Sequence, residues 1–156
     1  MSLDRIDAKI LTVLQEDGRI TNLELAQRVG LSSAACLRRV RALEESGILL
    51  KYVALVDPAK IGLNLEIAVD VRLKEQTRQL TTSFERRIVR MPEVVECCLI
   101  AGEWDYTLTV MVASLEDYQS FQLDKLMTSD SEIAALRSTI IMRKVKYTTR
   151  LPVEAD

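Results

Sequence analysis

The sequence predicts an α+β chain: an N-terminal three-helix helix-turn-helix domain, then a C-terminal ferredoxin-like βαββαβ sandwich. Three observations carry this. Up to about residue 60 the apolar residues recur at helical spacing. Beyond it, segments of strict apolar–polar alternation change places with helical stretches. Between the two regimes stands Asp57-Pro58, and a proline forces the residue before it out of the helical region. The expected boundaries are therefore 1–56 for the first domain, 57–63 for a hinge and 64–156 for the second domain.

In the first domain Ile6, Ile10 and Leu14, with Leu11 beside them, form one apolar helix face. Asp4 is placed to cap that helix and Gly18 to end it. Thr21 and Glu24 have capping-box spacing for a shorter second helix that buries Leu25, Ala26 and Val29. Gly30 stops it, because a residue at positive φ is easiest as glycine. Ser32 caps a third helix with Cys36, Val40 and Leu43 on one face, closed by Gly47. Ile48 to Val56 reads as extended chain.

In the second domain Leu65, Ile67, Val69, Val71 and Leu73 alternate with Glu66, Asp70 and Arg72, which is a half-buried strand. Leu80, Phe84, Ile88 and Met91 mark a helix ended by Pro92. Val94 to Ala101 is a second strand, Gly102-Glu103-Trp104 a turn, and Tyr106 to Val112 a third strand. Ser114 and Asp117 suit the start of a helix burying Leu115, Tyr118, Phe121 and Leu126. An extended segment over about 135–147 completes an antiparallel sheet with both helices on one face, leaving the other face to solvent or a partner.

The composition excludes several chemistries. Of 156 residues 48% are hydrophobic and 28% charged, with a net charge of −2, a globular balance with no overall pull toward nucleic acid. There is no histidine, so no Ser–His–Asp triad, Cys–His dyad or His-ligated metal can form. Cys36, Cys97 and Cys98 lack paired zinc spacing and read as small buried hydrophobes in a reducing compartment. No catalytic residue, cofactor or metal is expected, and no phosphate-binding glycine loop or nucleophile elbow is present. Without a leader or a long apolar run, the expected location is the cytoplasm, off the membrane.

Local charge tells a different story. With Cys36, Val40 and Leu43 inward, the third helix turns Ala34, Arg38 and Arg41 outward, with Leu37 at the edge. From Gln27 to Leu43 the charged residues are Arg28, Arg38, Arg39 and Arg41, with no acid among them. Ser32, Ser33 and Ala34 are short enough for close backbone approach to a duplex, and free N–H groups at a helix start can bind phosphate. Arginines farther along can reach phosphates or guanine edges. The expected DNA-binding residues are Ser32, Ser33, Ala34, Leu37, Arg38, Arg39 and Arg41, with double-stranded DNA as the partner.

These features occur together in an order that resembles the Lrp/AsnC (feast/famine) regulators of bacteria and archaea. The resemblance rests on LDRIDAKIL at 3–11, ELAQRVGLSSAACLRRVRALEESGIL at 24–49 and VDPAKIGL at 56–63. It continues through VVECCLIAGEWDYTL at 94–108 and RKVKYTTRLPV at 143–153. CLRRVRALE at 36–44 is especially like the leucine-responsive branch. The resemblance implies a transcriptional regulator that binds operators as a homodimer, assembles to a tetramer or octamer, and answers to a small amino-acid effector. The matching effector motif is Gly102, Glu103, Trp104, Asp105 and Tyr106, with Ser138 and Thr139 as polar residues of a facing segment. Gly102 permits close approach, turn N–H groups suit a carboxylate, and Asp105 suits an ammonium. Leu, Met and Ile side chains around such a pocket would favour leucine or methionine. Two other readings stand beside it: an architectural DNA-binding protein without an effector, and an amino-acid-binding regulatory subunit of an enzyme.

Overall fold

The computed structural model describes residues 3–154, which form two compact units. The first unit holds α1 (Arg5–Glu16), α2 (Asn22–Val29) and α3 (Ser33–Glu45). Each helix starts where the sequence places a cap. The Asp4 carboxylate accepts from the Ile6 and Asp7 N–H groups at 2.9 and 2.8 Å. Thr21 and Glu24 close a reciprocal capping box, and Ser32 accepts from the Ala35 N–H. Gly30 sits at φ 78° between α2 and α3, which no β-carbon-bearing residue adopts cheaply. Ile10, Leu14, Leu25, Ala26, Cys36 and Leu43 are buried together where the three helices meet.

The tail belongs here and not with the second domain. The compact division joins the described residues up to Leu55 with those from Lys146 onward, where the sequence predicted one domain over 64–156. Gln15 reads the Leu151 peptide with both ends of its amide, donating at 3.1 Å and accepting at 2.7 Å. Arg150 pairs with Glu16, and Val153 packs against the helical core. A side chain on α1 meeting a backbone more than a hundred positions away leaves no periodic mark, so spacing could not show it.

The second unit carries β1 (Leu65–Leu73), α4 (Arg78–Ile88), β2 (Val94–Leu99), β3 (Tyr106–Val112), α5 (Leu115–Ser120) and β4 (Ile133–Ile140). α5 continues as a π-helical segment over Phe121–Leu126. The sheet order is β2-β3-β1-β4, antiparallel throughout, which is the predicted βαββαβ arrangement. Val69 lies opposite Leu108 on one side and Ser138 on the other. Ile67, Val69, Val71, Tyr106, Leu108 and Val110 form the buried face, covered by Phe84 and Ile88 of α4 and by Tyr118, Phe121 and Leu126.

Four expectations change in detail. The hinge at 57–63 is a folded turn: Pro58 leads a 3₁₀ turn over Ala59–Ile61, and Asp57 accepts from the Ala59 N–H at 3.1 Å. β4 stops at Ile140, not near 147. Leu115 is exposed at the first turn of α5 and is not buried with Tyr118, Phe121 and Leu126. Cys36 is buried, but Cys97 and Cys98 are exposed on edge strand β2. Desolvation of the Cys97 sulfur, with Cys98 and Glu85 near, pushes its thiol up to about 11, so it stays protonated at neutral pH.

One side chain joins the layers. The Arg87 guanidinium donates to Glu132 at 2.9 Å, to the Lys125 carbonyl at 2.7 Å and to the Leu126 carbonyl at 3.2 Å. Ser83 donates to the other Glu132 oxygen. Burial pushes the Glu132 carboxyl upward, but the hydrogen bonds from Ser83 and Arg87 outweigh it and hold it below the usual carboxylate range. Replacing Arg87 by Ala leaves this carboxylate buried and unpaired, and should cost about 2 kcal/mol in urea unfolding. Glu132 titrates lower folded than unfolded, so its contribution is complete above the unfolded value of about 4.3 and is lost as pH falls through the folded one. Acid titration of stability should therefore be shallower below that pH in Glu132→Gln than in the parent protein.

Candidate nucleic-acid interface and ligand cleft

On α3 the residues with Cys36 and Leu43 inward leave Ala34, Leu37, Arg38 and Arg41 exposed, as the helical period requires. Arg38 and Arg41 make no ion pair among the described residues, so both are available to an anion. Ser32 is exposed but spends its hydroxyl on the cap. Ser33 is half-buried, and its carbonyl accepts from Asn22 of α2 at 2.9 Å, fixing the start of α3 against the preceding helix.

Arg39 departs from the expected set. Its Nη1 donates to Asp4 at 2.7 Å and to Asp7 at 2.8 Å. The Asp4 carboxyl is held below its ordinary range, first by the Asp7 N–H and then by Arg39. One position from Arg38 is 100° around the helix, enough to turn Arg39 from the outer face onto α1. Arg39 thus anchors α3, and Arg38 and Arg41 form the cationic face.

In the second unit a cleft of about 360 Å³ opens at the turn between β2 and β3. Gly102, Trp104, Asp105 and Tyr106 line it, together with Leu99, Ile100, Gln76 and Thr81. Asp105 is buried. Its carboxylate accepts from the Leu73 N–H at 2.7 Å and from the Gln76 amide at 2.6 Å, and no cation meets it among the described residues. Gly102 has φ 151°, and a β-carbon there would meet nothing within 4 Å, so the space above it is open. Burial and a hydrogen bond to Glu85 at 2.8 Å hold the Tyr106 hydroxyl above its ordinary value, as a neutral donor.

The structure does not bring every predicted effector residue to this cleft. Glu103 turns away and pairs with Arg72 at 3.0 Å. Ser138 shares a hydrogen bond with the Tyr118 hydroxyl, and Thr139 stands opposite Ala68 on β1. β4 is the far edge of the sheet, separated from β3 by β1. Neither Ser138 nor Thr139 lines the cleft within one copy. Among the described residues no group of acids and cysteines could hold a metal ion, and no helix is long and apolar enough to cross a membrane.

Known proteins share both units. The Lrp/AsnC ligand binding domain matches residues 66–151, and a winged helix-turn-helix DNA-binding domain matches residues 3–49. The leucine-responsive regulatory protein of Rhizobium meliloti is 40% identical over 94% of this chain and 93% of its own length. The chain belongs to the Lrp/AsnC family. It is a DNA-binding transcriptional regulator with a ligand-binding domain. The DNA-binding transcriptional activator DecR of Escherichia coli is 38% identical over 97% of this chain and 99% of its own. A solved transcriptional regulator of Neisseria meningitidis in complex with L-methionine superposes with a TM-score of 0.92, at 37% identity over 97% of each chain.

Reading this Lrp/AsnC chain as a sequence missed Gln76 and Thr81, which line the cleft with Asp105, to which Gln76 donates. It also missed Arg72 and Arg137, whose guanidinium groups lie 4.8 and 5.1 Å from the Trp104 ring. Alternation in β1 marks Arg72 as facing away from the core, but nothing in the sequence pairs it with Trp104. The division of labour on α3 can be tested by melting. Arg39→Ala should destabilise by about 1 kcal/mol, chiefly through its part-buried ion pair to Asp7. Arg38→Ala should stay within about 0.5 kcal/mol of the parent.

Proposed function

We propose that this regulator reads DNA with α3 and senses a small apolar amino acid at the β2–β3 turn. The observation that carries the DNA-reading half is the pair of arginines, Arg38 and Arg41, without an ion-pair partner among the described residues, on the exposed face of a helix whose small first-turn side chains permit close approach. Ser32, Ser33, Ala34 and Leu37 supply that approach. Arg39 sets the angle of the helix. If each free arginine neutralises one phosphate, Arg38→Ala and Arg41→Ala should each reduce the slope of log affinity against log salt by about 0.9. Fluorescence anisotropy on duplexes recovered by selection from genomic fragments measures it. An unchanged slope in both variants would remove α3 as the reading helix.

The effector half rests on Asp105. A buried carboxylate with two neutral donors and no cation is an unfinished site, and an α-ammonium completes it. The amides of Ala101 to Trp104 find no acceptor among the described residues and suit the ligand carboxylate. Leu99 and Ile100 suit an apolar side chain, in keeping with leucine or methionine and with the methionine bound by the Neisseria relative. Ser138 and Thr139 would join this site only from a second copy. A homodimer that builds to a tetramer or octamer is the assembly that brings them there. Exposed Val95 and Leu99 on β2 are apolar surface such an assembly would cover. The protein would act in the cytoplasm, where its DNA is, and carry out no catalysis of its own.

A thermal-shift panel of the twenty amino acids tests the effector. A ligand at a hundredfold excess over its dissociation constant stabilises the folded state by about 2.7 kcal/mol. Leucine or methionine should raise the melting temperature, and Gly102→Val should abolish the rise. A flat panel would leave an effector-independent DNA-binding protein.

A further inference from the structure

A second cavity lies apart from the ligand cleft. It is an open groove of about 890 Å³ along α4, and everything that lines it comes from residues 78–91. Four arginines and no carboxylate face it. Arg87 is committed to Glu132, as described above. Arg78, Arg86 and Arg90 are exposed, and their side chains make no ion pair or hydrogen bond among the described residues.

The placement of these three is regular. Leu80, Phe84 and Ile88 turn toward the sheet, so Arg78, Thr82 and Arg86 lie on the opposite side of α4, and Arg90 continues the row in the turn that follows. Four residues of helix advance about 6 Å and rotate about 40°, so Arg78, Thr82 and Arg86 follow one another along a gently winding row. Folding alone does not call for all of it: Arg86 in the last turn suits the helix dipole, but Arg78 does not. Arg78 stands in the first turn, the positive end of the helix dipole, where a cation is unfavourable. Arg86 and Arg90 are like charges four positions apart. The chain as a whole is slightly acidic, at −2, so the row is a local concentration of charge and not a general excess.

We infer that this row on α4 is a second nucleic-acid contact, separate from the reading face of α3, in which Arg78, Arg86 and Arg90 hold phosphates of a duplex backbone without reading sequence. Charge complementarity selects a polyanion. The shape selects an extended one, because a single helix and its following turn supply the lining and no opposing wall encloses a small phosphorylated compound. Thr82 and Gln79 add neutral donors of the kind that contact phosphate oxygens. The inference rests on the DNA-binding reading above and extends it to a surface in the other unit.

The test uses the full chain and a fluorescent mixed-sequence duplex of about six turns, at ~10.5 bp per turn. Affinity is measured by anisotropy across a potassium chloride series for the parent, for Arg78→Gln/Arg86→Gln/Arg90→Gln, and for the triple lysine variant. Three lost phosphate contacts should flatten the log–log salt slope by up to about 2.7, and the lysine variant should keep the parent slope. The loss should add to that of Arg38→Ala/Arg41→Ala, as independent surfaces require. An unchanged slope in the glutamine variant, while the α3 variant changes, overturns this inference and leaves the α3 reading standing. Failure of the parent to bind the duplex at any salt removes both. Light scattering without DNA is the second readout: a change of particle mass in the glutamine variant would make the row a contact between protein copies and overturn the inference. A melting-temperature rise with millimolar ATP in the parent, absent in the glutamine variant, would do the same in favour of a small phosphate ligand.

Discussion

The two hydrogen bonds from Arg39 to Asp4 and Asp7 are the constraint on which the exposed cationic face of α3 depends. A helix of thirteen residues that buries only Cys36 and Leu43 completely has a narrow apolar seam against the rest of its unit. Such a seam resists separation better than rotation. Arg39 supplies the missing resistance, because a guanidinium with one nitrogen shared between two carboxylates fixes both the distance and the roll of α3 against α1. Asn22 does the same at the other end through the Ser33 carbonyl. The outward direction of Arg38 and Arg41 follows from these two ties and from the helical period.

The second unit solves a related problem by different means. Its sheet buries one face under two helices, and the Arg87–Glu132 knot joins α4, the end of the π-helical segment and the entry to β4. The opposite face has no second layer in one copy. There Arg72 and Arg137 close on Trp104, and Asp70 and Glu103 neutralise them. At the edge of that cluster Asp105 holds the Leu73 amide and the Gln76 side chain, so the turn that shapes the cleft is also tied to the end of β1 and the segment leading into α4. A molecule that pairs with Asp105 therefore touches the junction of three elements, which is a physical route from ligand to shape.

Arginine is used in two ways throughout the chain. Arg39, Arg72, Arg87 and Arg137 are spent on carboxylates and carbonyls of the fold. Arg38 and Arg41 on α3, and Arg78, Arg86 and Arg90 on α4, have no such partner among the described residues. The side chains are chemically the same, and adjacent positions fall in different groups, as Arg38 and Arg39 do, or Arg86 and Arg87. The helical turn of 100° per residue decides which neighbour meets the protein and which meets the surroundings.

That distinction also marks what the residues alone determined. The helices, the caps at Asp4, Thr21, Ser32 and Ser114, the βαββαβ order and the outward face of α3 were legible because each depends on local spacing: Thr21 with Glu24, Ser32 before Ala35, the alternation from Leu65 to Leu73. The turn at 102–106 was legible as a motif. Tertiary structure alone decided that Arg39 serves the fold, that Gln76 and Thr81 enter the cleft, that Ser138 and Thr139 stay out of it, and that residues from Lys146 onward join the first unit. Each of these is a meeting of side chains far apart in the chain. Periodicity fixes which way a residue points within its own element, but what stands opposite depends on how elements pack, and that information is not local.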